Sequence, residues 1–139
     1  MMTKKRLFGP RGGNAIIETS LCFLLFMTIF LAIMEFGWAV FNYNFISYAA
    51  REGARYAATR GSLCLSPCTQ ATTDIVQDMV RAQAVAMDVS QLTVNTTYIP
   101  DNTPGNQVTV NVSYPVPALI GWLAGGMTIT ASSTMRIAQ

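Results

Sequence analysis

The sequence predicts an α+β chain with one long N-terminal transmembrane helix that extends into a small outer domain. That domain is expected to hold one further helix and a three-stranded antiparallel sheet. Three observations carry the prediction. Thr19 to Met34 is free of charge, and after Glu35 the chain from Phe36 to Ala50 is uncharged as well. Apolar residues then recur at helical spacing from Ile75 to Met87. From Leu92 onward, apolar and polar residues alternate with a period of two in three separate runs.

The chain has 139 residues, of which 51% are hydrophobic and 12% charged, about half the charge of an average soluble domain. Its mean hydropathy of +0.35 points the same way. There is no histidine, which removes imidazole metal ligands and histidine-based triads. The formal charge is +2, but four basic residues (Lys4, Lys5, Arg6 and Arg11) precede residue 14 without an acidic neighbour. The remainder is slightly acidic, so a nucleic-acid partner is not expected.

A membrane span needs about 20 mostly apolar residues, since about 30 Å of hydrocarbon is crossed at 1.5 Å per residue. Leu21 to Val40 supplies them, with Glu35 near the far end. The basic residues before the span should stay in the cytoplasm, leaving the C-terminal part outside. A cleaved secretory signal shares the basic start. Here the apolar stretch is too long, and Glu35, Phe36 and Trp38 stand where a small-residue cleavage site would follow. Before the span the chain reads Arg11-Gly12-Gly13-Asn14-Ala15-Ile16-Ile17-Glu18. Taken singly, the glycines are ordinary helix stops and Glu18 an acid favoured by the helix dipole.

Taken together, basic leader, glycine, four small or apolar residues, glutamate and a long apolar helix resemble the class III signal of type IV pilins and pseudopilins. Glu35-Phe36-Gly37, followed by Tyr48-Ala49-Ala50-Arg51-Glu52-Gly53-Ala54-Arg55-Tyr56-Ala57-Ala58, is similar to TadE-like proteins, the minor pseudopilins of tight-adherence pilus systems. The strands near Val108–Pro115 and Met127–Arg136 also look like the way such chains end. Trp38 departs from the pattern, since relatives often carry a basic residue there; a tryptophan suits the membrane interface.

The resemblance implies a leader of residues 1–13 cut between Gly13 and Asn14 by a prepilin peptidase. The new ammonium on Asn14 would then lie one helical turn from Glu18. It further implies assembly work without catalysis or a cofactor. The implied partners are other pilin-like subunits through the N-terminal helix, the inner-membrane pilus assembly platform and lipid. The place implied is a bacterial inner membrane crossed once, or the pilus itself. The alternative is a bitopic periplasmic scaffold or binding protein of a secretion system that keeps its leader.

Helix from Asn14 to about Arg60 would be roughly 70 Å long, more than twice the hydrocarbon thickness. Arg51, Glu52 and Arg55 decorate its outer half, either as a solvated salt-bridged face or as an inter-subunit surface with the small alanines. The aromatic residues Phe36, Phe41, Tyr43, Phe45, Tyr48 and Tyr56 read as packing and interface anchors. Residues 61–139 form the outer domain. Ser66-Pro67 is expected to cap a second helix running to about Val89, with Ile75, Met79, Ala82 and Ala86 as its apolar stripe. The strands place Leu92, Val94, Thr96 and Tyr98, then Val108, Val110, Val112 and Tyr114, on one side. The last does so with Met127, Ile129, Ala131, Met135 and Ile137. The apolar stretch 116–126, with Trp122, is expected either to cap the sheet edge or to dip toward a membrane or a neighbour, and at this length it is too short to span.

Cys22 lies in the span and behaves as a small apolar residue. Cys64 and Cys68 fall on the outer side, where disulfides persist, and are expected to be bonded to each other. A zinc site would need further ligands that are not there. Asn95 and Asn111 begin glycosylation sequons of a kind that strand serines and threonines create by chance.

Glu35 is costly in lipid unless it reaches the headgroups or faces a partner helix. In the second case Glu35→Ala leaves membrane insertion intact and weakens co-purification with pilus components, and unchanged co-purification refutes the partner role.

Overall fold

The computed structural model describes residues 12–84, 87–118 and 126–138. The element order is α1 (Gly12–Ala58), α2 (Thr73–Gln83), a short 3-10 turn (Val89–Gln91), β1 (Thr93–Ile99), β2 (Gln107–Val116) and β3 (Met127–Arg136). The three strands form one antiparallel sheet in the order β1-β2-β3, so the α+β reading holds. The leader up to Arg11 and the centre of the 116–126 stretch, including Trp122, lie outside the described residues. Two compact units are present: one ends at Phe36 and the other begins at Gly37. The second unit therefore takes the last part of α1 as one of its own elements.

The core of that second unit forms where small residues of α1 meet valines of α2 and β2. Along α1, Ile46, Ala49, Ala50, Ala54 and Ala57 are buried at intervals of three and four, the signature of one helix face. The alanines on which the inter-subunit reading drew are covered within the chain's own core. Val76 and Val80 of α2 and Val108, Val110 and Val112 of β2 complete the cluster. Asn42 is buried with them, and its Nδ2 donates to the Trp38 carbonyl at 2.8 Å, so the buried amide hydrogen-bonds one turn back.

Gly53 sits at the centre of this contact. A Cβ there would lie 2.8 Å from Val80 Cγ2 and 3.3 Å from Val110 Cγ1. The glycine weakens the helix by about 1 kcal/mol relative to alanine, but it lets α2 and β2 approach the α1 backbone.

The second helix is shorter than the sequence suggests. It starts at Thr73, not at Ser66-Pro67, and ends at Gln83, not near Val89. Ser66 and Pro67 sit in a turn closed by the Cys68 N–H donating to the Leu65 carbonyl at 2.9 Å. They lie between the two paired cysteines, and that turn takes the backbone out of helix. Thr72 caps instead, its side chain accepting from Ile75 N–H, with Asp74 in the first turn favoured by the dipole. At the other end Ala84 N–H reaches back to the Arg81 carbonyl at 3.1 Å, and Asp88 then caps the 3-10 turn. The buried stripe is also displaced. Val76, Val80 and Ala84 are buried, Ile75 and Met79 are half-buried, Ala82 is exposed, and Ala86 lies outside the described residues.

The strands follow their alternation. Leu92, Val94 and Thr96 are buried with Tyr98 half-buried, and in β2 Val108, Val110, Val112, Tyr114 and Val116 point inward. In β3 the alternation is right but its first member is not covered: Met127 is 55% exposed. Pairing is continuous, from Thr93↔Ser113 to Ile99↔Gln107 and from Gln107↔Arg136 to Val116↔Met127.

Gly53→Ala gains helix propensity of about 1 kcal/mol and loses about 1–3 kcal/mol to overpacking against a stiff β-branched valine. The expected net result is a Tm lower by about 5 °C in a detergent melt. Adding Val80→Ala should cost less than the two single changes summed, because the clash is shared. A stabilised Gly53→Ala protein contradicts the close approach.

Candidate functional site: the apolar helix and its N-terminal boundary

From Asn14 to Phe36 almost every side chain of α1 is exposed. Ile16, Ile17, Leu21, Phe23, Leu24, Leu25, Phe26 and Ile33 each present 60% or more of their surface. Soluble monomers leave no apolar surface of this extent to water, so this face needs lipid or other apolar helices around it. The helix is long and apolar enough to cross a membrane, with a mean window hydropathy of 2.3. Its hydroxyls are satisfied internally. Thr19, Ser20 and Thr28 donate to the carbonyls of Ala15, Ile16 and Leu24 at 2.7, 2.8 and 2.8 Å. A hydroxyl that bonds four residues back adds no unsatisfied polar group to a hydrocarbon environment. Phe26 and Phe30 stack at 6.4 Å between ring centroids.

Gly13 and Asn14 both fall in the first turn of α1, which begins at Gly12. Asn14 and Glu18 are exposed and four residues apart, one turn along the same side. Glu35 is half-buried. Cys22 is a free, exposed thiol in the apolar stretch.

Further along α1 the charged set separates into a pair and a free face. Arg55 grips Glu52 with two bonds, Nη2 to Oε1 at 2.6 Å and Nε to Oε2 at 3.1 Å. That contact raises the Arg55 pKa above its ordinary value. Arg51 is exposed. Sequence reasoning overlooked Arg60, whose guanidinium lies 4.3 Å from the centre of the Tyr56 ring and donates to its hydroxyl at 2.6 Å. The spacing of four between Tyr56 and Arg60 is the signal that would have found it. Glu52, Arg55, Tyr56, Thr59 and Arg60 line a shallow groove. Of the aromatic residues, Phe36, Phe41, Tyr43 and Tyr48 are exposed, whereas Phe45 and Tyr56 pack against the core. Trp38 also packs there and stacks on Phe41 at 5.9 Å, so it serves the core as well as any interface.

Cys64 and Cys68 lie at disulfide-bonding distance, with Cα atoms 5.6 Å apart. The segments on either side of the loop they close are held where several elements meet. Ala71 N–H donates to the Arg60 carbonyl at 2.8 Å, and Ser62 N–H to the Asn102 carbonyl at 2.8 Å. The Ala71 carbonyl in turn accepts from Tyr98 Oη at 2.7 Å and from Asn102 Nδ2 at 3.3 Å. Asp101 accepts from the Thr103 hydroxyl and N–H and from Asn106 Nδ2. Those bonds, Thr103's first, hold its carboxyl below the usual aspartate range. Among the described residues, no three of His, Cys, Asp and Glu gather as a metal site.

The apolar stretch, the Asn14–Glu18 turn and the Arg–Glu pair all belong to one stretch of α1. Residues 13–55 match the family model of TadE-like proteins. Over that segment the chain is similar to TadE-like proteins, consistent with a pilus protein of that kind. Comparison with curated proteins finds no match, and comparison with solved structures finds none.

Burial raises the Tyr98 phenol above its ordinary value. A raised folded value means the neutral phenol, the form that donates to Ala71, is favoured by folding. Its contribution is complete below about pH 10, the unfolded tyrosine value, and is lost as pH rises through the folded one. Tyr98→Phe should lower stability by about 1 kcal/mol at neutral pH and flatten the fall in Tm between pH 9 and 11. A variant that keeps the native alkaline slope refutes this assignment.

Proposed function

We propose that this chain is a membrane-anchored minor pilin or pseudopilin that takes part in assembling a tight-adherence pilus. The observation that carries the reading is the exposed apolar face of α1 lying inside the TadE-like segment. Such a helix belongs in a bilayer and then among other pilin-like helices. In this reading the chain crosses the bacterial inner membrane once, with Lys4, Lys5, Arg6 and Arg11 on the cytoplasmic side. A prepilin peptidase cuts between Gly13 and Asn14. Glycine suits the cut because a residue without a side chain lets the backbone lie close in a cleavage groove. The freed ammonium of Asn14 then sits one turn from Glu18, where the two charges neutralise one another within a subunit or between subunits. Residues 37–138 carry no part of this chemistry. They supply a stiff outer unit by which neighbours and the assembly platform distinguish this subunit.

Intact mass after co-expression with a prepilin peptidase tests the proposal. The native chain should lose residues 1–13 and begin at Asn14, while Gly13→Leu stays whole. If both stay whole, the leader-retaining periplasmic scaffold takes its place.

A further inference from the structure

The two edges of the sheet are finished differently. β1 has 7 residues and lies against α2, and Gln77 Nε2 donates to the Val94 carbonyl at 3.3 Å. β3 has 10 residues and pairs with β2 without a break along its whole length. Among the described residues no hydrogen bond reaches its far edge, toward which alternate backbone N–H and C=O groups point. Exposed edges are ordinarily guarded by charges, proline, a bulge or a covering segment. Met127 to Met135 reads MTITASSTM, with no charge and no proline, and the register shows no bulge. Its threonines and isoleucine favour extended backbone.

The inner row of β3 is also incompletely covered. Val108, Val110 and Val112 of β2 are fully buried, whereas Ile129 and Met135 are half-buried and Met127 is 55% exposed. The strand is nonetheless held firmly. Ile137 N–H donates to the Asn106 carbonyl at 2.9 Å, and Ala138 N–H donates to the Ala58 carbonyl of α1 at 2.8 Å. An edge fixed in advance loses little entropy when another strand joins it.

We propose that β3 pairs edge to edge, antiparallel, with β3 of a second copy of this chain, joining two three-stranded sheets into one of six strands. Opposed residues of an antiparallel pair share a face, so a symmetric pairing must be centred on a residue. Centring on Ser132, near the middle of the strand, sets Ile129 opposite Met135 of the second copy. That extends the apolar inner row across the junction on both sides of the two-fold axis. It also sets Arg136 opposite Thr128, leaving the two arginines about 27 Å apart along the ladder. That distance is well beyond the screening length of about 8 Å. Arg136 is the one charged residue of β3, and this pairing sets it against a threonine and away from its own copy while joining Ile129 to Met135. Self-association is the occupant the strand favours.

Cysteine cross-linking on the full chain in membranes tests the pairing, with Cys22→Ala removing the free thiol. Ser132 is exposed on the outer face, and on the two-fold axis two Cα atoms would stand about 4.5–5.5 Å apart, within disulfide range. Ser132→Cys should give covalent dimers at least tenfold faster than Asn95→Cys. Asn95 is equally exposed and lies in the same row of the same face, but on β1. A mixture of Thr128→Cys and Arg136→Cys chains should cross-link more than either alone. Equal rates at positions 132 and 95, or no dimer at 132, overturn the proposal, because chance collision or a different partner would produce those results.

Discussion

The outer unit depends on how closely other elements can approach the α1 backbone at Gly53. Ala49, Ala50, Ala54 and Ala57 keep that side of the helix low, and the missing Cβ at residue 53 lets Val80 and Val110 reach the backbone itself. Beside these thin side chains, α1 contributes Ile46 to the core, with Trp38, Phe45 and Tyr56 packed against it. The valines of α2 and β2 and Leu92 fill the space opposite. The arrangement gives up helix propensity at one position to gain contact at three. It also fixes the order of dependence. α2 seats this closely only because residue 53 has no Cβ, and the inner row of the sheet packs on α1.

The strands were legible because their physics is local. A period of two in Leu92–Tyr98 and Val108–Tyr114 allows one buried face and one only. The apolar stretch was legible for a similar reason, since an uncharged run long enough to cross a membrane shows in composition alone. The start of α2 was not. Ser-Pro is a sound helix opening by its chemistry, but Cys64 and Cys68 bracket it, and the competing demand of that closed turn wins. The alanines were ambiguous in principle. A small-residue face suits close approach of any neighbour, and a sequence does not say whether that neighbour is another chain or the chain's own sheet. Nor did it mark the Ala71 carbonyl, whose two donors come from 27 and 31 residues away.

The disulfide loop, the 100–106 loop and the chain end after β3 converge on the end of α1. Arg60 and Ala58 offer carbonyls to Ala71 and Ala138, and Asn102 bridges both loops. Helix carbonyls in the last turn lack intrahelical partners, and here neighbouring segments supply the donors. The small disulfide therefore acts as one member of a hydrogen-bonded set. Tyr98 belongs to that set too, which is why its burial has a chemical consequence and not only a packing one.

The use of the small-residue face inside the chain limits what remains for partners. On the outer unit, α1 can offer a neighbouring helix only its other side, where Phe41, Tyr48 and Arg55 recur at intervals of seven and stay exposed. Seven-residue spacing keeps those positions in line along a straight helix, drifting by only about 20° per repeat. Rings and a guanidinium of that size would hold a second helix farther off than alanines would. A loose helix contact leaves orientation underdetermined, and a strand edge supplies what it lacks. Main-chain hydrogen bonds are directional, and a register slip of one residue would turn the β3 inner row to the wrong face.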